Sequence, residues 1–115
     1  MIALDANTGR LKWFRQFVHH DIWDWDLPAA PTLIEVTRNG RKIAAVAEIT
    51  KMSTLFIFDR VTGEPLFGLE ERPVPQSDVP GEATWPTQTL RRHENTEVTA
   101  TETRRHRGSE STAIR

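Results

Sequence analysis

The chain contains no cysteine, so disulfides and thiolate metal sites are excluded. The absence suits oxidising and reducing compartments alike, and so does not choose between them. No apolar run approaches the roughly 18 residues of a membrane helix. The opening MIALDANTGR has neither a basic segment nor an apolar one, so no secretory signal is expected there. The formal net charge is only −1, which gives no whole-chain attraction to nucleic acid or to an anionic membrane. Aromatic residues are missing from one end. All Trp and Phe lie before residue 90, while 91–115 (RRHENTEVTATETRRHRGSESTAIR) offers only Val98 and Ile114 as large aliphatics. That stretch cannot bury enough apolar area to offset its ordering entropy, so a disordered tail is expected over 91–115. Arg91, Arg92, Arg104, Arg105 and Arg107 could touch nucleic acid, but the interleaved glutamates argue against it.

What is present is a repeat. Residues 3–13 read ALDANTGRLKW and residues 57–67 read IFDRVTGEPLF. They share Asp5 with Asp59, Thr8 with Thr62, Gly9 with Gly63, and an aromatic at Trp13 and Phe67. The aspartate can accept backbone N–H bonds within the turn, and the glycine supplies the positive φ that closes it. The aromatic four residues on points back into a neighbouring layer. A period of roughly 50 residues with hairpin turns suggests propeller blades. Two unrelated hairpins with common turn chemistry would be the simpler alternative.

Further strand signals lie between the turns. Leu11–Val18 alternates imperfectly. Pro31–Val36 and Lys42–Ile49 flank Asn39-Gly40, the strongest short hairpin signal, and Thr54–Asp59 is rich in β-formers. Residues 68–86, with Pro73, Pro75, Pro80 and Pro86, read as an extended loop. No segment carries a helical period of useful length. The class is all-β.

The chemistry concentrates in His19-His20-Asp21-Ile22-Trp23-Asp24-Trp25-Asp26, before Leu27-Pro28. A loop between strands can present carboxylates into a site. Three readings of it stand side by side. His19, His20, Asp24 and Asp26 could bind a cation, although adjacent histidines on a strand point apart. Asp24 and Asp26, two positions apart, would suit a hard ion such as Ca²⁺ better. Alternatively one aspartate takes a proton from a substrate, helped by partial desolvation beside the indoles. In the third reading the aspartates cap turns and the tryptophans pack. Lys51, just before the Thr54–Asp59 strand, would be solvated on the plainest reading. As a functional group it would donate hydrogen bonds to an anionic or quinone oxygen.

HHDIWDWDLPAAPTL, then ITKMSTLFIFDRVTGEPLFGLEERPVPQSDVPGE, then WPTQ, in this order, resemble the pyrroloquinoline quinone (PQQ)-dependent dehydrogenases, of the sugar and alcohol type. The resemblance covers about residues 2–90 and implies an eight-bladed propeller of four-stranded sheets, of which this chain offers about two blades. ALDANTGRLKW is similar to the family's tryptophan-docking motif. Asp24 falls where the family has its catalytic base, and Lys51 where sugar-type members contact PQQ oxygens. Asp26 falls where some lanthanide-using relatives have a metal ligand. The cofactors implied are PQQ and Ca²⁺, Mg²⁺ or a lanthanide. The partners implied are a sugar or alcohol and a membrane quinone or cytochrome, in a periplasmic setting. The expected organisation is a partial propeller over 1–90 and the tail over 91–115, whose abrupt change after WPTQ suggests an out-of-frame end. The start inside a blade motif suggests a missing N-terminal part. A piece with open edges is expected to be marginally stable and inactive alone. The competing expectation is a non-catalytic propeller module for protein assembly, or a gene remnant. Asp24 and Lys51 discriminate the first, because a scaffold has no reason to face both toward one cavity.

Overall fold

The computed structural model describes residues 1–92 and the backbone of 99–102. Its elements are strands: β1 (Ile2–Leu4), β2 (Leu11–Phe14), β3 (Thr32–Arg38), β4 (Arg41–Ile49), β5 (Leu55–Asp59), β6 (Leu69–Pro73), β7 (Thr87–Arg91) and β8 (Thr99–Glu102). The central sheet has the order β5-β4-β3-β8, flanked by the two-stranded sheets β1-β2 and β6-β7, and every pairing is antiparallel.

The hairpin at Asn39-Gly40 forms as its sequence dictates. Arg38 pairs with Arg41 across a two-residue loop, and Asn39 and Gly40 have φ of 51° and 71°. Two successive positive φ values define the turn whose twist matches its strands. The repeated turns are superposable in their bonding. In the first, Gly9 N–H donates to Asp5 C=O at 2.8 Å, while Asp5 Oδ1 accepts from Asn7 N at 3.1 Å and Thr8 N at 3.0 Å. In the second, Gly63 N–H donates to Asp59 C=O at 2.8 Å, while Asp59 Oδ1 accepts from Val61 N at 2.8 Å and Thr62 N at 3.0 Å. The repeat is therefore structural, and the two turns are not a coincidence of composition.

The turns also touch each other's layers, though in only one direction. The Trp13 indole lies flat on Gly63 and donates from Nε1 to the Arg60 carbonyl at 3.1 Å. Arg15 Nε donates to the Gly63 carbonyl at 2.7 Å. Phe67, the aromatic of the second repeat, is instead buried in the core with Ile34, Val36, Ala45, Ile57 and Leu66. Arg91 stacks on the Phe67 ring with its guanidinium carbon 4.6 Å from the centroid.

The central sheet is buried on both faces, which is why β5 reads as an almost continuous apolar run. Ile57 belongs to the cluster just named. Phe56 and Phe58 point the other way, into Val46 and Phe17. Phe17 meets Phe56 edge-on at 4.9 Å and Phe58 at 5.8 Å. By contrast, β1-β2 hides only one face. Ile2, Leu4, Leu11 and Phe14, paired Ile2 with Phe14 and Leu4 with Leu11, stay exposed.

Three expectations are adjusted. The strand expected over Leu11–Val18 ends at Phe14, because Phe17 turns inward and the chain leaves β1. The extended loop expected over 68–86 contains β6. Its Pro73 sits at the last position of an edge strand, where a missing N–H costs nothing in the ladder. Within 91–115, expected to be disordered, Arg91 ends β7 and 99–102 pair with β3. An open strand edge takes up backbone partners, and Thr-Ala-Thr-Glu is compatible with a strand. The rest of that expectation, 93–98 and 103–115, lies outside the described residues.

Glu48 departs from the apolar core. It is 1% exposed on β4, and neither carboxylate oxygen has a hydrogen-bond partner. Burial pushes its pKa above the usual carboxylate range. The folded state therefore holds this proton more tightly than the unfolded chain does. Its contribution is fully present below the ordinary glutamate pKa and is lost as pH rises through the raised folded value. Glu48→Gln should be more stable than the parent at neutral pH by about 1–3 kcal/mol, because it removes a buried charge whose oxygens accept no hydrogen bond. Urea unfolding at pH 4 and pH 7 checks this. A gain at pH 7 that shrinks at pH 4 is expected, and equal destabilisation at both would refute it.

Candidate active site

The carboxylate loop runs from β2 to β3, and three devices shape it. At its entry the buried side chain of Gln88 grips the backbone of His19, accepting from His19 N–H at 2.8 Å and donating to His19 C=O at 2.7 Å. Next, His20 takes a positive φ of 38° and turns the chain. Asp21 then caps the following turn, accepting from Trp23 N at 2.9 Å through Oδ1 and from Trp25 N at 2.7 Å through Oδ2. Within this cap Trp23 and Trp25 stack, with centroids 4.5 Å apart. Asp24, between them, has φ of 59°, the left-handed region that Asp tolerates better than most residues. Its side chain is exposed.

Lys51 comes from a separate element, the turn between β4 and β5. Thr50 builds that turn. Its buried hydroxyl donates to the Thr54 carbonyl at 3.0 Å, its carbonyl accepts from Ser53 N at 3.0 Å, and Ser53 has φ of 58°. The turn carries Lys51 to the aspartate loop. Its Nζ donates to Asp24 Oδ2 at 3.0 Å and to Asp26 Oδ1 at 2.7 Å. The three residues proposed from sequence thus meet, with Asp24 and Asp26 converging on the Lys51 ammonium.

The electrostatics follow from that contact. The hydrogen bond from Lys51 holds Asp26 below the usual carboxylate range. The bonds to Asp26 and then Asp24 hold the Lys51 ammonium above the usual lysine range, so it stays charged. The desolvation expected of an aspartate beside indoles is not what the fold provides. The Asp24 side chain is 88% exposed, and its partner is Lys51 rather than a ring.

The arrangement can present a fixed cation and an accessible carboxylate side by side. It does not by itself make a metal centre. Among the described residues no three His, Asp or Glu side chains converge. A Ca²⁺ shell needs about 6–8 oxygens, which Asp24 and Asp26 cannot supply alone. His19 is drawn off elsewhere, with Nε2 3.1 Å from Glu71 Oε1. No shared site with His20 forms.

The reading in which the aspartates cap turns and the tryptophans pack holds for Asp21, Trp23 and Trp25, whereas sequence reasoning missed Gln88 as an anchor and Glu71 as the partner of His19. Asp21 had a signal, since an aspartate two residues before an amide is the ordinary Asx-turn pattern. Gln88 and Glu71 had none, because their partner is 69 and 52 residues away.

The profile of the family described as "PQQ: Glucose/ethanol/alcohol dehydrogenase, beta-propeller domain" matches residues 1–113. The chain belongs to this PQQ dehydrogenase family. Among curated relatives, it is 45% identical over 91 residues to the quinoprotein glucose dehydrogenase of Gluconobacter oxydans, covering 78% of this chain and 11% of that protein. It is 46% identical over 88 residues to the quinoprotein glucose dehydrogenase of Escherichia coli, covering 76% of this chain and 11% of that protein. It is 39% identical over 90 residues to the large subunit of the Gluconobacter oxydans glycerol dehydrogenase, covering 76% of this chain and 12% of that protein. The chain therefore spans about a tenth of the length of these relatives. No solved structure matches it. The seating of Trp13 on Gly63 joins the first repeat to the second.

Proposed function

We propose that this chain carries the proton-accepting and quinone-facing residues of a PQQ-dependent dehydrogenase acting on a sugar or another alcohol. The observation that supports this most is the convergence of Asp24 and Lys51, 27 residues apart in sequence, on one exposed contact of 3.0 Å. A scaffold has no use for that pair at one end of a blade.

The division of labour follows from the side chains. Asp24, exposed and held by a single ion pair, accepts the proton of the substrate hydroxyl at Oδ2 once Lys51 moves off that oxygen. Lys51, kept charged by Asp26, turns a donor toward an anionic quinone oxygen. Asp26 keeps the ammonium near the site while Asp24 is released. When bound, PQQ supplies the electrophilic centre that accepts the substrate's hydride. As a ligand of a Ca²⁺-type cation, Asp26 would offer Oδ2, since Oδ1 accepts from Lys51. The electron acceptor we propose is a membrane quinone or a cytochrome, and the setting periplasmic. We also propose that the chain is inactive alone, because it spans about a tenth of its relatives.

Two measurements test the reading. Isothermal calorimetry of the chain with PQQ, with and without Ca²⁺, should show no saturable binding. Saturable, cation-dependent binding would show that these residues hold more of the site than proposed. The second uses a chimera in which residues 1–90 replace the matching stretch of the Escherichia coli enzyme. There Lys51→Met should weaken PQQ binding by roughly 10–100-fold, the value of one lost charge-assisted hydrogen bond. Unchanged PQQ affinity would remove Lys51 from the cofactor site.

A further inference from the structure

The aspartate loop is held in solution-facing space by very little. Its ion pairs from Lys51 to Asp24 and Asp26 involve side chains 88% and 59% exposed, and exposed pairs fix geometry weakly. Upstream, Phe17 is wedged into the core. Among the described residues, the backbone between Phe17 and Asp24 is attached to another element by the buried side chain of Gln88.

That attachment has an unusual completeness. Gln88 is 0% exposed, and both ends of its amide are spent on one residue, accepting from His19 N–H at 2.8 Å and donating to His19 C=O at 2.7 Å. The side chain takes the place of a neighbouring strand's backbone. Only an amide of this length can do so. A carboxylate cannot donate, an apolar chain leaves both His19 groups unpaired, and asparagine is one methylene short. Glu71, opposite Thr89 in the β6-β7 sheet, adds an exposed contact. Its Oε1 lies 3.1 Å from His19 Nε2 and accepts from Thr89 Oγ1 at 2.5 Å.

We propose that Gln88 is a positioning residue for Asp24: it fixes His19, and through the Asp21 cap fixes where the proton-accepting carboxylate stands. The inference rests on the reading of Asp24 as the base. It adds a residue of the WPTQ segment, from a different sheet, to the machinery of the loop.

The stacked Trp23 and Trp25 report the loop directly, since two indoles 4.5 Å apart give an exciton couplet in circular dichroism. Trp23→Phe identifies that couplet in the chain. Gln88→Met keeps the shape and removes both bonds; Gln88→Ala is the second variant. Expected is loss of the couplet in the chain. In the chimera kcat should fall by roughly 10–100-fold with KM changed far less, the effect of a misplaced catalytic group. A lower melting temperature with the couplet and kcat retained would mean a merely structural glutamine and overturn the proposal. So would loss of the couplet with kcat intact, when Asp24→Asn is inactive. Loss of the couplet with kcat intact in both Gln88→Met and Asp24→Asn would leave Gln88 holding the loop and remove Asp24 as the base.

Discussion

Asp24→Asn in the chimera should lower kcat by about 10²–10⁴-fold, the usual worth of a positioned general base. The substitution keeps the size of the side chain and can still accept a hydrogen bond from Lys51. It removes the carboxylate that receives the proton. Asp26 still holds Lys51 through its own 2.7 Å bond, so PQQ affinity should change little. That separation makes the result informative. Loss of turnover with PQQ retained assigns Asp24 to the chemistry. Loss of both assigns it to cofactor binding, and retention of activity within about threefold, against the expected span, removes it from the site. Asp24→Glu should recover part of the rate, because it restores the carboxylate one methylene out of place. Asp21→Asn is a useful contrast. It can cap only one of the two amides that Asp21 now holds, so it should lower activity less than Asp24→Asn.

Gly63→Ala should destabilise the chain by about 2–5 kcal/mol, the largest single effect expected away from the site. Two causes add. Gly63 has φ of 75°, where an L side chain is strained. A Cβ there would also stand 2.6 Å from Trp13 Cδ2, a distance at which something must move. Gly9→Ala separates the causes. Gly9 has φ of 69° and the same turn bonds, but nothing lies within 4 Å of an added Cβ. It should cost only the backbone strain, about 1–2 kcal/mol. In a Trp13→Ala background the Gly63→Ala cost should fall to the Gly9→Ala value, because the ring is no longer in the way. Urea unfolding of the three single variants and the double variant measures all of this. Equal costs at Gly9 and Gly63 would show that Trp13 does not dock where the structure places it.

The two glycines also show how far sequence can be read. Asp5, Thr8 and Gly9 match Asp59, Thr62 and Gly63 in sequence, and the same bonds form in both turns. Such turns are local, made by side chains within four positions, so residue order suffices. Asn39-Gly40 is legible for the same reason. The strand β6 was hidden because Pro73 at its end and the prolines after it suppress the strand signal, while pairing with β7 is decided by a segment 14 or more residues away. Leu11–Val18 misled because an alternating pattern does not say where a chain leaves its partner.

The site divides in the same way. Residue types and their order determined the turns, the hairpin, the all-β class and the resemblance that singled out Asp24, Lys51 and Asp26. Only the tertiary structure decided that Lys51 bridges the two aspartates, that Asp24 faces solvent rather than an indole, and that Gln88 takes hold of His19. Those contacts span 25 to 69 residues of sequence. Closing such distances depends on the burial of Phe17, Phe56 and Phe58 between the elements that carry them. Local chemistry is written in the order of neighbours, whereas the meeting of distant side chains is set by which apolar faces the folded sheets bury together.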